Sequence, residues 1–319
     1  IDAVIIPGTD PHQSEYPSEH WKFRDYVSGF TGSNGTAVVT LDDAGLWTDS
    51  RYFLQAAEQL EGSGFTLRKE NIPGEPTVLE WLGEVLDEDA VVGVDGRLFS
   101  LIEANRIEMF CAQNGFMFAP DFRAAEAIWT DRPARPMNPA FVHDEALAGE
   151  DVDSKISRVV DALDAADADG LLITALDEIA WLLNLRGSDV DYTPVVIAFA
   201  YVSEDERVLF IDSEKVTSEV KDHLKKYRVK IKDYDDIEKF LGKISSTATV
   251  MVDPNRVSDA LGQATICNKT YMASPVIALK GVKNECQIAG FRQAMLYDGA
   301  AMVRMMMWLE QNVANGITE

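Results

Sequence analysis

Short apolar runs and amphipathic stretches follow one another along the chain in an order that occurs twice. Each copy predicts a buried strand, a helical turn, a glycine-containing turn, a hairpin, a helix, another strand and a final helix. In the first copy, strands are predicted at 4–7 and 91–94, a hairpin at 35–41 and 45–48, and an amphipathic helix at 50–60. This succession predicts a mixed α/β fold.

The two copies also share short segments of sequence in the same order. The matching segments are 2–10 with 169–177, 26–33 with 181–188, 46–50 with 209–213, and 91–95 with 249–253. Because the order is kept while the intervals vary, we predict two tandem domains of similar fold whose loops have diverged. The second copy extends from 151 to about 275, with its own hairpin at 194–202 and 207–211. Between the copies, residues 129–150 are rich in proline near their start and lack a hydrophobic period, which is typical of an interdomain linker.

A long helix is predicted after the second copy, at 284–313. Asn284 is a favourable N-cap residue, Glu285 lies in the first turn, and apolar residues recur at helical spacing. The apolar stripe near its end contains Met302, Met305, Met306 and Trp308. Two interpretations stay open, since such a stripe needs a cover: it packs back onto the second domain, or the helix opens a third domain beyond residue 319.

Composition and charge narrow the classes of function. A chain of 319 residues is long enough for about two domains. With a net charge of −24 and a pI near 4.5, the protein repels phosphate groups and anionic lipid. We therefore expect neither a nucleic-acid nor a membrane partner. The three cysteines have no C-x-x-C spacing, and we expect buried free thiols in a reducing compartment. They are Cys111, Cys267 and Cys286.

The first copy contains an insertion that carries candidate metal ligands. Asp10 and Tyr26 are 16 positions apart. Their counterparts Asp177 and Trp181 are 4 positions apart, so the first copy has 12 extra residues here. The imidazole and carboxylate groups in the insertion belong to His12, Glu15, Glu19 and His20. Because they lack the helical spacing of a paired-histidine site, we expect solvated surface and no metal.

A charged position after the first hairpin is the sharper candidate. The segment 49–51 matches 212–214, and Asp49 in it is typical of a helix N-cap. Arg51, however, stands where the second copy has Glu214. An Arg in the first turn of a helix faces the unfavourable end of the helix dipole. From the residues alone, this Arg either pairs with a nearby carboxylate such as Asp49 or holds an acceptor on a ligand. No nucleophile elbow, zinc-protease motif or Cys/His pairing occurs in the sequence.

Several blocks of sequence closely resemble the three-domain form of Xaa-Pro aminopeptidase, the aminopeptidase P family. These blocks are HQSEY at 12–16, VSGF at 27–30, WTDSRYFLQA at 47–56, IWTDRP at 128–133, TALDEIAWL at 174–182, NLRGSD at 184–189 and KNE at 283–285. The resemblance covers essentially the whole chain. It implies two creatinase N-terminal-like domains of ribonuclease-H-like appearance with mixed sheets, at 1–135 and 136–277. The segment 278–319 would then be the leading part and first helix of a pita-bread catalytic domain that continues beyond this sequence.

The resemblance also implies that the metal ligands and catalytic residues lie in a different part of the protein from residues 1–319. The family's active site holds two divalent metal ions, usually manganese, and none of the family's ligand motifs lies in residues 1–319. We therefore expect no metal ligand or catalytic residue in this part of the protein, and no activity from it alone. Arg51 occupies the place of a family Arg that reaches the substrate, which favours ligand binding. His12, Asp49 and Tyr52 are candidates for the active-site entrance.

The expected activity is removal of the N-terminal residue from peptides with proline in second position. The resemblance further implies a cytoplasmic enzyme that forms a homodimer. An alternative within the same ancestry is an acidic pita-bread scaffold or chaperone-type module that binds basic peptides, with which the net charge of −24 is compatible.

Overall fold

The computed structural model describes residues 1–317 and has two similar α/β halves. The strands are β1 Ala3–Ile6, β2 Thr36–Thr40, β3 Ala44–Thr48, β4 Thr66–Lys69, β5 Val91–Gly93, β6 Met117–Ala119, β7 Phe141–Val142, β8 Gly170–Ile173, β9 Leu185–Arg186, β10 Phe199–Ser203, β11 Arg207–Phe210, β12 Lys230–Lys232, β13 Thr249–Val252 and β14 Asn268–Tyr271. The helices are α1 Phe23–Ser28, α2 Phe53–Gln59, α3 Val78–Val85, α4 Leu101–Asn114, α5 Ala124–Ile128, α6 Glu145–Ala148, α7 Val152–Asp164, α8 Leu176–Leu182, α9 Ser218–Lys226, α10 Ile237–Leu241, α11 Asp259–Ala264, α12 Pro275–Gly281 and α13 Glu285–Asn312.

The two main sheets have the same strand order, which confirms the predicted mixed α/β repeat. The first sheet runs β4-β3-β2-β1-β5-β6 and the second runs β12-β11-β10-β8-β13-β14. In each, the first strand of the copy is antiparallel to the hairpin and parallel to the later strand, as β1 is to β2 and β5. The same holds for β8 with β10 and β13. The short pair β7–β9 lies outside these sheets, so the predicted linker contains a strand and is not wholly irregular.

Apolar clusters cover both faces of each sheet, which explains why the central strands have few polar positions. Leu46 and Trp47 are neighbours in β3 and are both buried, but they belong to clusters on opposite faces. Leu171 and Leu172 divide in the same way in β8. Successive side chains of a strand point to opposite faces, so a sheet buried on both sides needs continuous apolar runs.

A backbone contact joins the two halves at the starts of α4 and α11. The Leu101 amide donates to the Val257 carbonyl, and the Asp259 amide donates to the Phe99 carbonyl, both at 2.9 Å. Ser100 begins α4 and forms a capping box with Glu103, so the helix is fixed at the point where the domains meet. The relative placement of the halves therefore depends on main-chain hydrogen bonds as well as on side chains.

The long final helix forms as predicted, but its apolar stripe does not pack onto the second half. Asn284 caps α13 through a capping box with Gln287. Within residues 1–317, α13 has no buried residue. At its near end, Asn284 Nδ2 donates to the Ala148 carbonyl at 2.8 Å and Cys286 Sγ donates to the Ala146 carbonyl at 2.9 Å. Met305 and Trp308 are each about half exposed. The interpretation in which the second domain covers the stripe is wrong for this structure.

Two smaller predictions need correction. The helix predicted at 50–60 begins only at Phe53, because the residues before it form a turn around the Asp49 side chain. Cys111 and Cys267 are buried free thiols as expected, whereas Cys286 is exposed. The reason is its position near the start of α13, where the neighbouring half covers little of the helix.

Candidate substrate-binding site

Arg51 lies on an exposed turn at the end of β3. Its Nε atom donates to Asp49 Oδ1 at 3.0 Å and its Nη2 atom donates to Asp49 Oδ2 at 2.7 Å, while the Arg51 amide also donates to Oδ1. The structure thus contains the ion pair that was one of the two explanations for this Arg. The pairing leaves the side chain 61% exposed, and Nη1 has no hydrogen-bond partner among residues 1–317. A planar guanidinium held on one edge is suited to bind an acceptor with the other edge.

Asp49 and Tyr52 hold this turn in place. Asn34 Nδ2 donates to Asp49 Oδ2 at 2.6 Å, and hydrogen bonds from Arg51 and Asn34 hold the pKa of Asp49 well below its usual range. The Arg51 Cζ atom lies 5.2 Å from the centroid of the Tyr52 ring, and the Tyr52 hydroxyl is 2.7 Å from Ser33 Oγ. Arg51 precedes the first turn of α2, so the predicted conflict with the helix dipole is smaller than the sequence indicated.

A polar groove of about 1020 Å³ lies next to this turn, between the two halves. The first half lines it with Tyr52, Ser33 and Glu15, and the second half lines it with 188–193. Glu15 belongs to the 12-residue insertion and contributes to the electrostatic environment of Arg51. The groove is therefore formed by residues of both domains and of the insertion, and it reaches the Arg51 turn at Tyr52.

His12 is buried between the halves and is not on a solvated loop. Only 2% of the residue is exposed, its Nδ1 atom is 2.8 Å from the Thr174 carbonyl, and its Nε2 atom is 2.9 Å from the Tyr234 hydroxyl. The expectation of solvated surface is wrong for His12, because the insertion folds inward onto the second domain. It holds better for Glu15 and Glu19, which are exposed.

The insertion also binds the linker. His20 Nδ1 is 2.6 Å from the Pro133 carbonyl, and Arg132 Nε donates to the His20 carbonyl at 2.7 Å. Burial lowers the pKa of His20 to about 4, and the nearby Arg132 and Arg135 charges add to that effect. Arg135 in turn bonds Asp235 of the second domain. The start of the linker is thus bonded both to the insertion of the first domain and to the second domain.

Behind the groove, Lys215 and Asp189 form a fully buried ion pair with Nζ and Oδ2 2.9 Å apart. Asp189 Oδ2 also accepts from the Ile197 amide at 2.7 Å. This pair could not be predicted from the sequence, because its members are 26 positions apart and each resembles an ordinary surface charge. Buried pairs of this kind fix local geometry, since either charge alone is costly to bury.

The described part of the chain does not supply a metal site. No group of three or more His, Cys, Asp or Glu side chains within residues 1–317 is arranged to hold a metal ion. The donor set thus does not fit the two-metal centre that the family resemblance implies, and no chemical step can be assigned to a metal held by these residues. Over the same residues, no helix combines the length and hydropathy needed to span a bilayer.

Comparison with known proteins assigns the class of each half. Residues 1–119 and 131–287 each match the Creatinase/Prolidase N-terminal domain family. Aminopeptidase P2 of Arabidopsis thaliana is 38% identical over 98% of this chain and 49% of its own length. The chain belongs to the Xaa-Pro aminopeptidase (aminopeptidase P) family.

Two other relatives have similar coverage. A probable Xaa-Pro aminopeptidase P of Coprinopsis cinerea is 36% identical over 99% of this chain and 53% of its own length. The crystal structure of an X-prolyl aminopeptidase from Caenorhabditis elegans, described as a cytosolic enzyme with a di-nuclear active site, has a TM-score of 0.93 and 32% identity. That match covers 99% of this chain and 53% of the other. The chain therefore spans about half the length of the relatives it matches.

Proposed function

We propose that this chain works as the N-terminal half of an Xaa-Pro aminopeptidase that removes the first residue from peptides with proline second. The supporting observation is the match in sequence and fold, with a TM-score of 0.93, over nearly the whole chain to a solved X-prolyl aminopeptidase. Because the matching relatives carry aminopeptidase names, peptide hydrolysis is favoured over the alternative of a scaffold that binds basic peptides.

The chemistry belongs, in this proposal, to a catalytic half outside residues 1–317. Two divalent ions, manganese by family resemblance, would be held by that half and would supply the Lewis-acid chemistry of peptide hydrolysis. The Caenorhabditis relative is described as a cytosolic enzyme with a di-nuclear active site, and we assign the same compartment and metal number to this protein. A homodimer is part of the same proposal.

Arg51 is the substrate-binding residue that this half contributes. Its support is geometric: Asp49 holds one edge of the guanidinium, the side chain is otherwise exposed, and the next residue, Tyr52, lines the interdomain groove. A substrate carbonyl or carboxylate is the acceptor that this edge fits. Asp49 orients Arg51, and Tyr52 lines the entrance. His12 acts more remotely, by fixing the insertion that carries Glu15.

The proposal is tested with a tripeptide that has proline second and a matched tripeptide that has alanine second, both with added manganese. The longer protein in which a catalytic half follows this chain is expected to release the first residue from the proline peptide only. Residues 1–319 alone are expected to release nothing, because no group of side chains within residues 1–317 is arranged to hold a metal ion. Turnover by residues 1–319, or equal cleavage of both peptides by the longer protein, would contradict the proposal.

A further inference from the structure

The contact that His12 makes with the second domain is unusually specific for a loop residue. Its ring stacks on Phe199 with centroids 4.3 Å apart and an interplanar angle of 29°. Phe199 stacks in turn on Tyr234, whose hydroxyl bonds His12 Nε2. The ring is thus held on one face and at both nitrogen atoms by groups of the other domain.

These partners determine the protonation state of His12. The Thr174 carbonyl only accepts, so Nδ1 must carry a proton and donate to it. Nε2 then accepts from Tyr234, whose pKa burial raises well above its usual value, so that the hydroxyl keeps its proton. The closed interface is therefore complementary to the neutral ring. A second proton on Nε2 would face the Tyr234 hydroxyl proton and force that hydroxyl to turn away.

The charges near His12 come from three directions. Asp10 lies on its own loop and accepts from the His12 amide through Oδ1 at 2.9 Å. Asp189 and Lys215 are the buried pair of the second domain. Arg135 of the linker lies over the Tyr234 ring, with Cζ 4.5 Å from the centroid. Burial lowers the pKa of His12, Asp10 opposes that shift, and Lys215 and Asp189 act in opposite senses.

We propose that His12 is a proton-sensitive latch that closes the first domain onto the second when its ring is neutral and releases it when the ring is protonated. The proton comes from solvent and binds Nε2 as the ring leaves its pocket. His12 lies in the 12-residue insertion that the second copy lacks. The latch therefore belongs to the segment in which the two copies differ most in length. The inference concerns the domain interface and does not depend on the proposed peptidase activity.

The interface amides report on the latch. Leu101 and Asp259 donate hydrogen bonds across the boundary, whereas the amides of β10 and β11 pair within the second domain. Hydrogen exchange of the 319-residue chain is measured at pH 7.5 and pH 5, and protection factors are compared. An exposed histidine has a pKa of about 6.5, so acidification to pH 5 is expected to reduce protection at the boundary by up to about 30-fold. Protection within β10 and β11 is expected to stay unchanged.

Two variants separate the latch from a general effect of acid. His12→Phe keeps the stacking on Phe199 but cannot titrate, so its boundary amides are expected to be less protected at both pH values and to lose the pH dependence. His223→Gln is the matched control, because His223 bonds the Leu183 carbonyl inside the second domain. It is expected to behave as the unmodified chain.

A direct titration of the unmodified chain covers the case in which His12→Phe fails to fold. With carbon-13-labelled histidine, the His12 signal is expected to titrate below 6.5, in step with the loss of boundary protection. Titration at the ordinary value with protection intact would overturn the latch. So would the same pH-dependent loss of protection in His12→Phe.

Discussion

Two short turns show how the surroundings of a residue decide its role. Asp49 and Arg51 form the same side-chain and amide contacts as Asp95 and Arg97, two positions apart in each case. Arg97, however, also bonds Glu126, and its side chain is only 20% exposed. Arg51 has a single carboxylate partner among residues 1–317 and faces solvent. The shared motif therefore yields one Arg held by two carboxylates and one Arg whose outer edge faces solvent.

The buried pair of Lys215 and Asp189 leads to a stability prediction. Lys215→Met leaves the Asp189 carboxylate buried without its counter-ion, and we expect the free energy of unfolding to fall by about 3–5 kcal/mol. Lys230→Met is the control, because Lys230 forms an exposed pair with Glu206 and should cost at most about 1 kcal/mol. Urea unfolding of both variants measures the difference. Equal losses of unfolding free energy in the two variants would contradict the conclusion that burial makes the Lys215–Asp189 pair costly to break.

The half-buried His20 gives a pH prediction at the same scale. Its pKa of about 4 in the folded chain lies below the usual 6.5, so the unfolded chain binds the proton first as the pH falls. The contribution of neutral His20 to the free energy of unfolding is therefore fully present above about pH 6.5, and it is lost progressively as the pH falls toward 4. Between pH 7 and pH 5, His20→Gln is expected to lose less stability than the unmodified chain. An equal or larger loss, measured by urea unfolding, would contradict the assignment.

At the level of elements, the most informative difference between the copies is the insertion between β1 and α1. It carries His12 into the second domain and binds the linker through His20. The matching interval of the second copy is a direct connection from β8 to α8. In this duplicated fold, the longer loop of the first copy thus adds a second interdomain contact to the one between α4 and α11.

Two capping boxes allow a test of how α4 supports the domain boundary. Ser100→Ala removes a buried cap at the boundary, and Thr77→Ala removes an exposed cap on α3. Both are expected to destabilise the chain within the range of about 0.5–2 kcal/mol, with Ser100→Ala at the upper end. Thermal unfolding compares them. A larger loss from Thr77→Ala would show that the boundary does not depend on the start of α4.

Local sequence predicted most of the elements but not the contacts between domains. The helix α13 could be predicted because its cap and apolar spacing lie within it. The start of α2 was misplaced because the Asp49 turn imitates a helix cap. The environment of His12 could not be predicted, since its partners Thr174 and Tyr234 lie 162 and 222 positions away. The extra length of the insertion was the feature of the sequence that could have indicated an interdomain contact. Its polar composition instead favoured a solvent-exposed loop.

For the whole molecule, the exposed face of α13 is the largest departure from a self-contained fold. Half-exposed apolar side chains extend along it, including Phe291, Met295, Met302, Met305 and Trp308. Surfaces of this kind favour association, at roughly 25 cal/mol per Å² of apolar area removed from water.

Shortening the chain tests this face. A chain of residues 1–281 lacks α13 and therefore lacks its exposed apolar face, so it is expected to self-associate less than the 319-residue chain. Because little of the second domain contacts α13, removing the helix takes few contacts away from that domain. Sedimentation velocity over a range of concentrations measures both. Unchanged association in the shortened chain would show that another surface is responsible.

Steady-state kinetics of the longer protein measure whether Arg51 binds substrate. A charged hydrogen bond contributes about 1.5–3 kcal/mol, so Arg51→Ala is expected to lower kcat/KM on a proline-second peptide by about ten- to a hundredfold. Lys230→Ala is the control, since Lys230 is 62% exposed in a comparable pair with Glu206 but lies on β12 of the second domain. Arg51→Ala is expected to lose kcat/KM with an unchanged Tm, whereas Lys230→Ala is expected to lose neither. Unchanged kinetics with a lowered Tm in Arg51→Ala would contradict this expectation and make the pair with Asp49 purely structural.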